Sequence, residues 1–172
     1  MDMPRVQIVD SHDKPIGGAT KKEAFEKGLI RRIVRGITQD ETRRLLLHKR
    51  APHKQPNPNK WDWLPSGHVD EGEDYEQALN RETEEELGIG RDAFQFTPIE
   101  SYYSSREAHG LKLNSFNRVY EITVSSTAPI RLDTSEATEL RWFTVAELAN
   151  NIRENPDQYA PSVLLLFPKY YQ

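Results

Sequence analysis

The alternation of apolar and polar positions divides the chain into short strands and a few helices. Residues 5–9, RVQIV, predict a strand, and Asp10 to Pro15 a turn. Gly17 and Gly18 continue that loop into a short helix over 21–28. The run LIRRIVRGIT is rich in β-branched residues and predicts a strand. Polar residues 38–43 then turn the chain into Leu45-Leu46-Leu47, so 29–49 reads as a hairpin. A loop follows over 48–64. The period changes after that. Tyr75, Ala78, Leu79, Thr83 and Leu87 recur at spacings of three and four, the stripe of a helix over 73–87 stopped by Gly88 and Gly90. Strands are expected over 94–104 and 115–125, with a loop around His109-Gly110, and a short strand over 140–143. Thr144, with Glu147 completing a capping box, starts a helix over 145–152, and the proline-bearing tail around 163–167 is a short helix or packed segment.

A length of 172 residues suits one domain, 1–172, and a composition 36% hydrophobic and 29% charged suits a soluble globule. The net charge of −4 gives no overall attraction to nucleic acid or an anionic membrane. With no cysteine, thiol catalysis and zinc–thiolate sites are excluded. No apolar run approaches the ~18 residues of a membrane span, so the expected location is the cytoplasm.

The helix over 73–87 carries the candidate chemistry. Glu82, Glu85 and Glu86 fall within an arc of about 100° beside the apolar stripe. On a solvated face, such like pairs cost only a few tenths of a kcal/mol each, at roughly 0.2–0.5. At the border of a buried stripe the repulsion rises to roughly 3 kcal/mol per pair at about 5 Å, which a divalent cation removes; hard oxygen ligands suit Mg²⁺ or Mn²⁺. Spacing alone leaves both readings open. The loop over 48–64 brings Lys49, Arg50, Lys54 and Lys60 just ahead of these glutamates. Plain solvated charge is the ordinary meaning of such residues, yet guanidinium and ammonium groups next to a metal-binding helix suit a diphosphate, and we read Arg50 and Lys54 that way. Core packing is favoured over base stacking for at least one of Trp61 and Trp63. None of the five histidines has a metal-ligand spacing.

Gly67, five residues, Glu73, seven residues, then Arg81-Glu82-Thr83-Glu84-Glu85-Glu86-Leu87-Gly88-Ile89 resembles the Nudix box, the signature of a family of diphosphate hydrolases. Thr83 stands where the family usually has an aliphatic residue. The resemblance implies an α/β/α sandwich around a mixed sheet, with Glu82, Glu85 and Glu86 on the metal and Arg81 and Glu73 orienting them. It also implies that the Gly67 carbonyl lies near the ion.

VDSHDKPIGGATKKEAFEKGLIRR, LLLHKRAPHK and KWDWLPSGHVDEGE further resemble the branch that includes isopentenyl-diphosphate isomerase. Arg50 and Lys54 match that branch's diphosphate-contacting pair, and His68 the histidine of its Cys-Gly-His motif, which implies a substrate-binding role. Three features depart. Ser66 stands in place of the cysteine, Phe25 in place of a metal-binding histidine, and no Thr-Glu-x-Glu segment supplies a second carboxylate.

The expected function is therefore metal-dependent hydrolysis of a nucleoside-diphosphate-type or other organic diphosphate. Glu85 is the expected general base, with Glu136 or Glu139 as alternatives. The expected partner is a small diphosphate, with no membrane and no specific nucleic acid, and a homodimer is compatible with this reading. The rivals are an isomerase-like enzyme with altered activity and a non-catalytic Nudix-like binding module.

Overall fold

The computed structural model describes residues 3–171. β1 (Arg5–Val9) buries Val6, Ile8 and Val9 and pairs antiparallel with β2 (Pro15–Thr20). Gly17 and Gly18 were expected in a loop and instead lie in β2, opposite Ile8 and Gln7. Glycine's weak strand preference is overridden by the unpaired edge of β1, and the missing Cβ of Gly18 admits the Glu71 carboxylate, which an added Cβ would meet at 2.2 Å. α1 (Lys21–Lys27) follows under a Thr20–Glu23 capping box and stops at Gly28, whose φ of 67° is left-handed.

β3 (Arg31–Asp40) and β4 (Leu45–Arg50) are joined by a turn that Asp40 Oδ1 holds by accepting from the Thr42 and Arg44 amides. The expected hairpin over 29–49 survives only at this turn, where Gln39 and Leu45 pair. Beyond it the strands diverge. β3 runs parallel to β8 (Leu111–Val124), from Arg31 opposite Ser115 to Asp40 opposite Val124. β4 takes as partners β5 (Trp61–Trp63), inside the expected loop over 48–64, and β9 (Ala137–Phe143). A strand with buried residues on both faces needs neighbours on both edges, and sequence alternation does not say which. β7 (Phe94–Ala108) and β8 form a longer hairpin than the expected 94–104 and 115–125, closed by His109 and Gly110 at φ of 51° and 74°. Two positive-φ residues make a tight turn whose twist suits the strands; the alternation of Leu111 and Leu113 with Lys112 and Asn114 was the sequence signal that β8 starts at the turn.

The sheet is mixed and lies between helices. Alternate residues of β3, β4 and β8 go to opposite sides. Val34, Leu46, Tyr120 and Ile122 pack against Ala78, Leu79 and Leu87 of α2 (Tyr75–Leu87). Ile37, Leu45, Leu47 and Val119 pack with Trp61 and Trp63 against Leu148 of α3 (Val145–Glu154) and Val163 and Leu166 of α4 (Pro161–Tyr170). Both tryptophans are thus core, each side chain contributing on the order of 2–3 kcal/mol by burial. This is the expected α/β/α sandwich. The Thr144–Glu147 capping box forms as the sequence implies. Among the described residues no helix is long and apolar enough to cross a membrane.

Candidate active site

β6 (Ser66–His68) pairs with β3 so that Arg35 faces Ser66, Val34 faces Gly67 and Ile33 faces His68. Paired residues point the same way. Ser66 and His68 therefore join Ile33 and Arg35 in a cleft of about 470 Å³, while the Cα of Gly67 turns towards α2. A Cβ at Gly67 would stand 1.9 Å from Glu82 Oε1, so only glycine lets that carboxylate lie against the backbone.

α2 starts two residues later than the expected 73, because Asp74 caps it and exchanges hydrogen bonds with Gln77. Glu73 is left outside the helix and accepts from the Asp70 amide at 3.0 Å. It also takes a two-point grip from Arg81, Nε to Oε1 and Nη2 to Oε2, each at 2.9 Å. That grip holds the Glu73 carboxyl below its ordinary range. The remaining Arg81 donors reach the His68 carbonyl at 2.9 Å, Glu82 Oε1 at 2.8 Å and, at 3.5 Å, Glu85 Oε2. One guanidinium thus links the loop, Glu73 and the glutamate cluster.

The glutamates are not alike. Glu82 is buried and its carboxyl is pushed up, burial outweighing the pull of Arg81. Glu86 is 6% exposed, accepts from the Ser66 amide at 3.2 Å, and has no cationic partner among the described residues. Burial and the neighbouring Glu82 push it well above the usual carboxylate range. Glu85 is exposed at the mouth of the cleft. Among the described residues no three His, Asp or Glu side chains converge closely enough to hold a metal ion.

Arg50 and Lys54 also line the cleft, but both are engaged by the protein. Arg50 donates to the carbonyls of Asn57 at 3.1 Å and Gln55 at 3.4 Å and lies 3.9 Å from Asp62. Lys54 forms a close ion pair with Glu136. Of the alternative bases, Glu136 therefore faces the cleft already paired, while Glu139 is exposed on β9 and does not line it. His68 Nε2 is taken by Arg31 Nη1 at 2.7 Å, and burial among cations keeps the ring neutral, well below the ordinary histidine range. Lys21, Arg31, Arg35, Asp62 and Arg106 line the cleft too. Sequence reasoning passed over them. The one available signal was the period of two that Arg31, Ile33 and Arg35 share.

A family model for the NUDIX domain matches residues 17–164. The chain belongs to the Nudix family. Relatives include a prenyl-diphosphate phosphatase from Methanosarcina mazei, 31% identical over 92% of this chain and 89% of its own length. An isopentenyl-diphosphate Delta-isomerase 2 from Aromatoleum aromaticum is 28% identical over 91% of this chain and 80% of its own. Among solved structures, a Deinococcus radiodurans protein superposes with a TM-score of 0.79 at 26% identity, covering 98% of this chain and 99% of that one. The Nudix box occupies β6, the following loop and α2, and family membership supports action on a diphosphate linkage as the class of chemistry. The isomerase-like branch is represented among the relatives, yet in this Nudix chain Ser66 Oγ accepts from Arg35 Nη1 at 3.2 Å and Phe25 lies 4.6 Å beneath the Arg31 guanidinium.

Proposed function

We propose that the chain hydrolyses a diphosphate linkage in a nucleoside-diphosphate-type or other organic diphosphate, with Mg²⁺ or Mn²⁺ held by Glu82, Glu85, Glu86 and the Gly67 carbonyl. The observation that carries this reading is Glu86, a buried carboxylate without a countercharge at the edge of a cleft that also holds Arg50 and Lys54. The hard carboxylate oxygens of these residues, of which Glu82 and Glu86 are buried, fit such an ion by their chemistry, while the three side chains would have to draw together around it. When bound, it supplies charge neutralisation for the diphosphate and lowers the pKa of water.

The chain's own groups do the rest. Arg81, gripped by Glu73, fixes the Glu82 carboxylate and the β6 backbone, so the cluster is oriented before substrate arrives. Arg50 and Lys54 take the diphosphate oxygens, and Lys54 exchanges its Glu136 partner for phosphate as it does so. Glu85, exposed and free of a short contact, accepts the proton of the attacking water. The attack is at phosphorus, and the P–O bond of the bridging oxygen breaks.

The isomerase-like alternative lacks its thiol and one histidine, at Ser66 and Phe25. The non-catalytic alternative is disfavoured because Glu82, Glu85, Glu86, Glu73 and Arg81 are all retained. The test is a panel of organic diphosphates incubated with Mg²⁺ or Mn²⁺, reading released phosphate and monophosphate products. Cleavage that EDTA abolishes is expected. Full activity in EDTA sinks the metal assignment, and no cleavage across the panel sinks hydrolysis.

A further inference from the structure

The floor of the cleft is built by three neighbouring strands, and hydrolysis of a diphosphate does not account for its charge. On β3, Arg31, Ile33 and Arg35 occupy alternate positions on the cleft side. The register then places Ser115 of β8 beside Arg31, and Arg106 of β7 opposite Leu113 of β8; all of these line the cleft. The cleft's other arginines are compensated, Arg81 by Glu73 and Glu82 and Arg50 at longer range by Asp62. Among the described residues, Arg31, Arg35 and Arg106 form no ion pair with any carboxylate; Asp62 acts on Arg106 only from beyond ion-pair distance.

A solvated basic face would explain exposed arginines, but Arg31 is 2% exposed. Its Nη1 is spent on neutral His68, its plane is held over Phe25, and its Nε is buried with no hydrogen-bond partner among the described residues. Among the described residues Arg35 donates only to neutral oxygens, Asn117 Oδ1 at 3.1 Å and Ser66 Oγ at 3.2 Å. Burial, with Arg35 and Arg106 close by, draws Arg31 down to about 10, so it still carries its charge at neutral pH. Like charges held together without counterions are costly, and an anion in the cleft removes that cost.

We propose that Arg31, Arg35 and Arg106 form a second anion subsite, which binds an additional phosphate carried by the organic half of the diphosphate substrate. The proposal rests on the diphosphate-hydrolase reading and narrows its substrate class to phosphorylated organic diphosphates, away from plain prenyl diphosphates. Guanidinium forks match phosphate oxygens in pairs, and several uncompensated cations suit a dianion better than a monoanionic carboxylate. His68 and Phe25 act here as positioning residues, aiming the Arg31 fork.

Two compound pairs differ by a single phosphate: NADPH and NADH, and coenzyme A and its 3′-dephospho form. Calorimetric titration of the metal-free protein is expected to show the phosphorylated member of at least one pair binding roughly tenfold more tightly. Arg106→Gln, on the half-buried β7–β8 ribbon, is expected to bring that affinity down to its partner's while moving the partner's by no more than about twofold. Thermal melting checks that the variant folds, and Arg35→Gln serves as a second variant with the same expectation. Equal binding within both pairs, binding of none, or a preference undiminished in both variants overturns the proposal. So does a preference for UDP-glucuronate over UDP-glucose with none for phosphate, which assigns the subsite to carboxylates. Hydrolysis of the same compounds with Mg²⁺ is read separately. Its failure counts against the hydrolase reading and leaves the binding result to decide the subsite.

Discussion

The two charged walls of the cleft are organised in opposite ways. On the acidic rim one arginine, Arg81, serves Glu73, Glu82 and Glu85 together, while Glu86 has no cationic partner among the described residues. On the basic floor, Arg31, Arg35 and Arg106 sit near each other with neutral partners or none. Charges that the fold leaves uncompensated mark where a ligand of opposite sign belongs. By that criterion Glu86 asks for a cation and the floor for an anion. Arg50 and Lys54, to which the proposed function gives the diphosphate, are the more fully engaged and exchange protein partners for it.

The largest expected effect breaks the acidic side. Glu86→Gln keeps a carbonyl oxygen for the Ser66 amide and deletes the uncompensated charge. In the proposed enzyme kcat should fall on the order of 10²–10⁴-fold, the range for a lost metal or acid–base group. The melting temperature of chelator-treated protein at pH 8 should hold or rise, because a buried charge without a partner has been removed. A fully active variant would remove Glu86 from the metal site, and one that melts well below the wild type would show that Glu86 serves the fold.

The two walls also differ in how visible they are in the amino-acid sequence. The acidic rim lies on one helix and one loop, so spacings of three and four between Glu82, Glu85 and Glu86 convey it without tertiary knowledge. The stripe from Tyr75 to Leu87 was legible for the same reason, and all five of its residues are buried. The basic floor depends on pairings between residues far apart in the chain. Arg31 meets β7 and β8 only because β3 leaves its hairpin partner and runs parallel to β8, and no local pattern encodes that choice. Arg35 reaches Ser66 only through the β3–β6 register. The loop over 48–64 hid β5 because three residues, Trp61–Trp63, are too few to show a period.

A smaller effect tests the frame that separates the walls. His48 of β4 is buried opposite Asp62, with Nε2 lacking a hydrogen-bond partner among the described residues. Burial draws it down to about 4; Asp62 and Glu136 pull it up and Arg50 pulls it down. Since the folded value lies below the ordinary 6.5, the unfolded chain binds more protons between the two values. Stability is therefore fully present above 6.5 and is lost as pH falls through that window towards 4. The expected loss is on the order of 1–3 kcal/mol. Denaturant titrations across the window should show this slope in the wild type and a flatter one in His48→Leu. Equal slopes in the two proteins would remove His48 from the account.

The smallest expected effect is none. If Ser66 and Phe25 belong to the basic floor, the protein should not interconvert isopentenyl and dimethylallyl diphosphate. That isomerisation adds a proton at one carbon and removes one from another, so it needs an acid and a base placed across an unactivated alkene. Ser66 Oγ is held by Arg35, and an alcohol gives up its proton far less readily than a thiol of ordinary pKa near ~8.5. Phe25 occupies its place beneath Arg31 and brings no group able to bind a metal or carry a proton. Ser66→Cys should therefore restore nothing. Beside Arg35 the new thiol would ionise more easily, yet the second proton-transfer group would still be missing. Incubation with isopentenyl diphosphate and Mg²⁺, counting acid-labile product, checks both proteins. Turnover by the wild type anywhere in the ~1–10³ s⁻¹ range of working enzymes would overturn the division of the cleft into an acidic rim and an anion-binding floor. Turnover by the variant alone would show that the floor differs from an isomerase site by one atom.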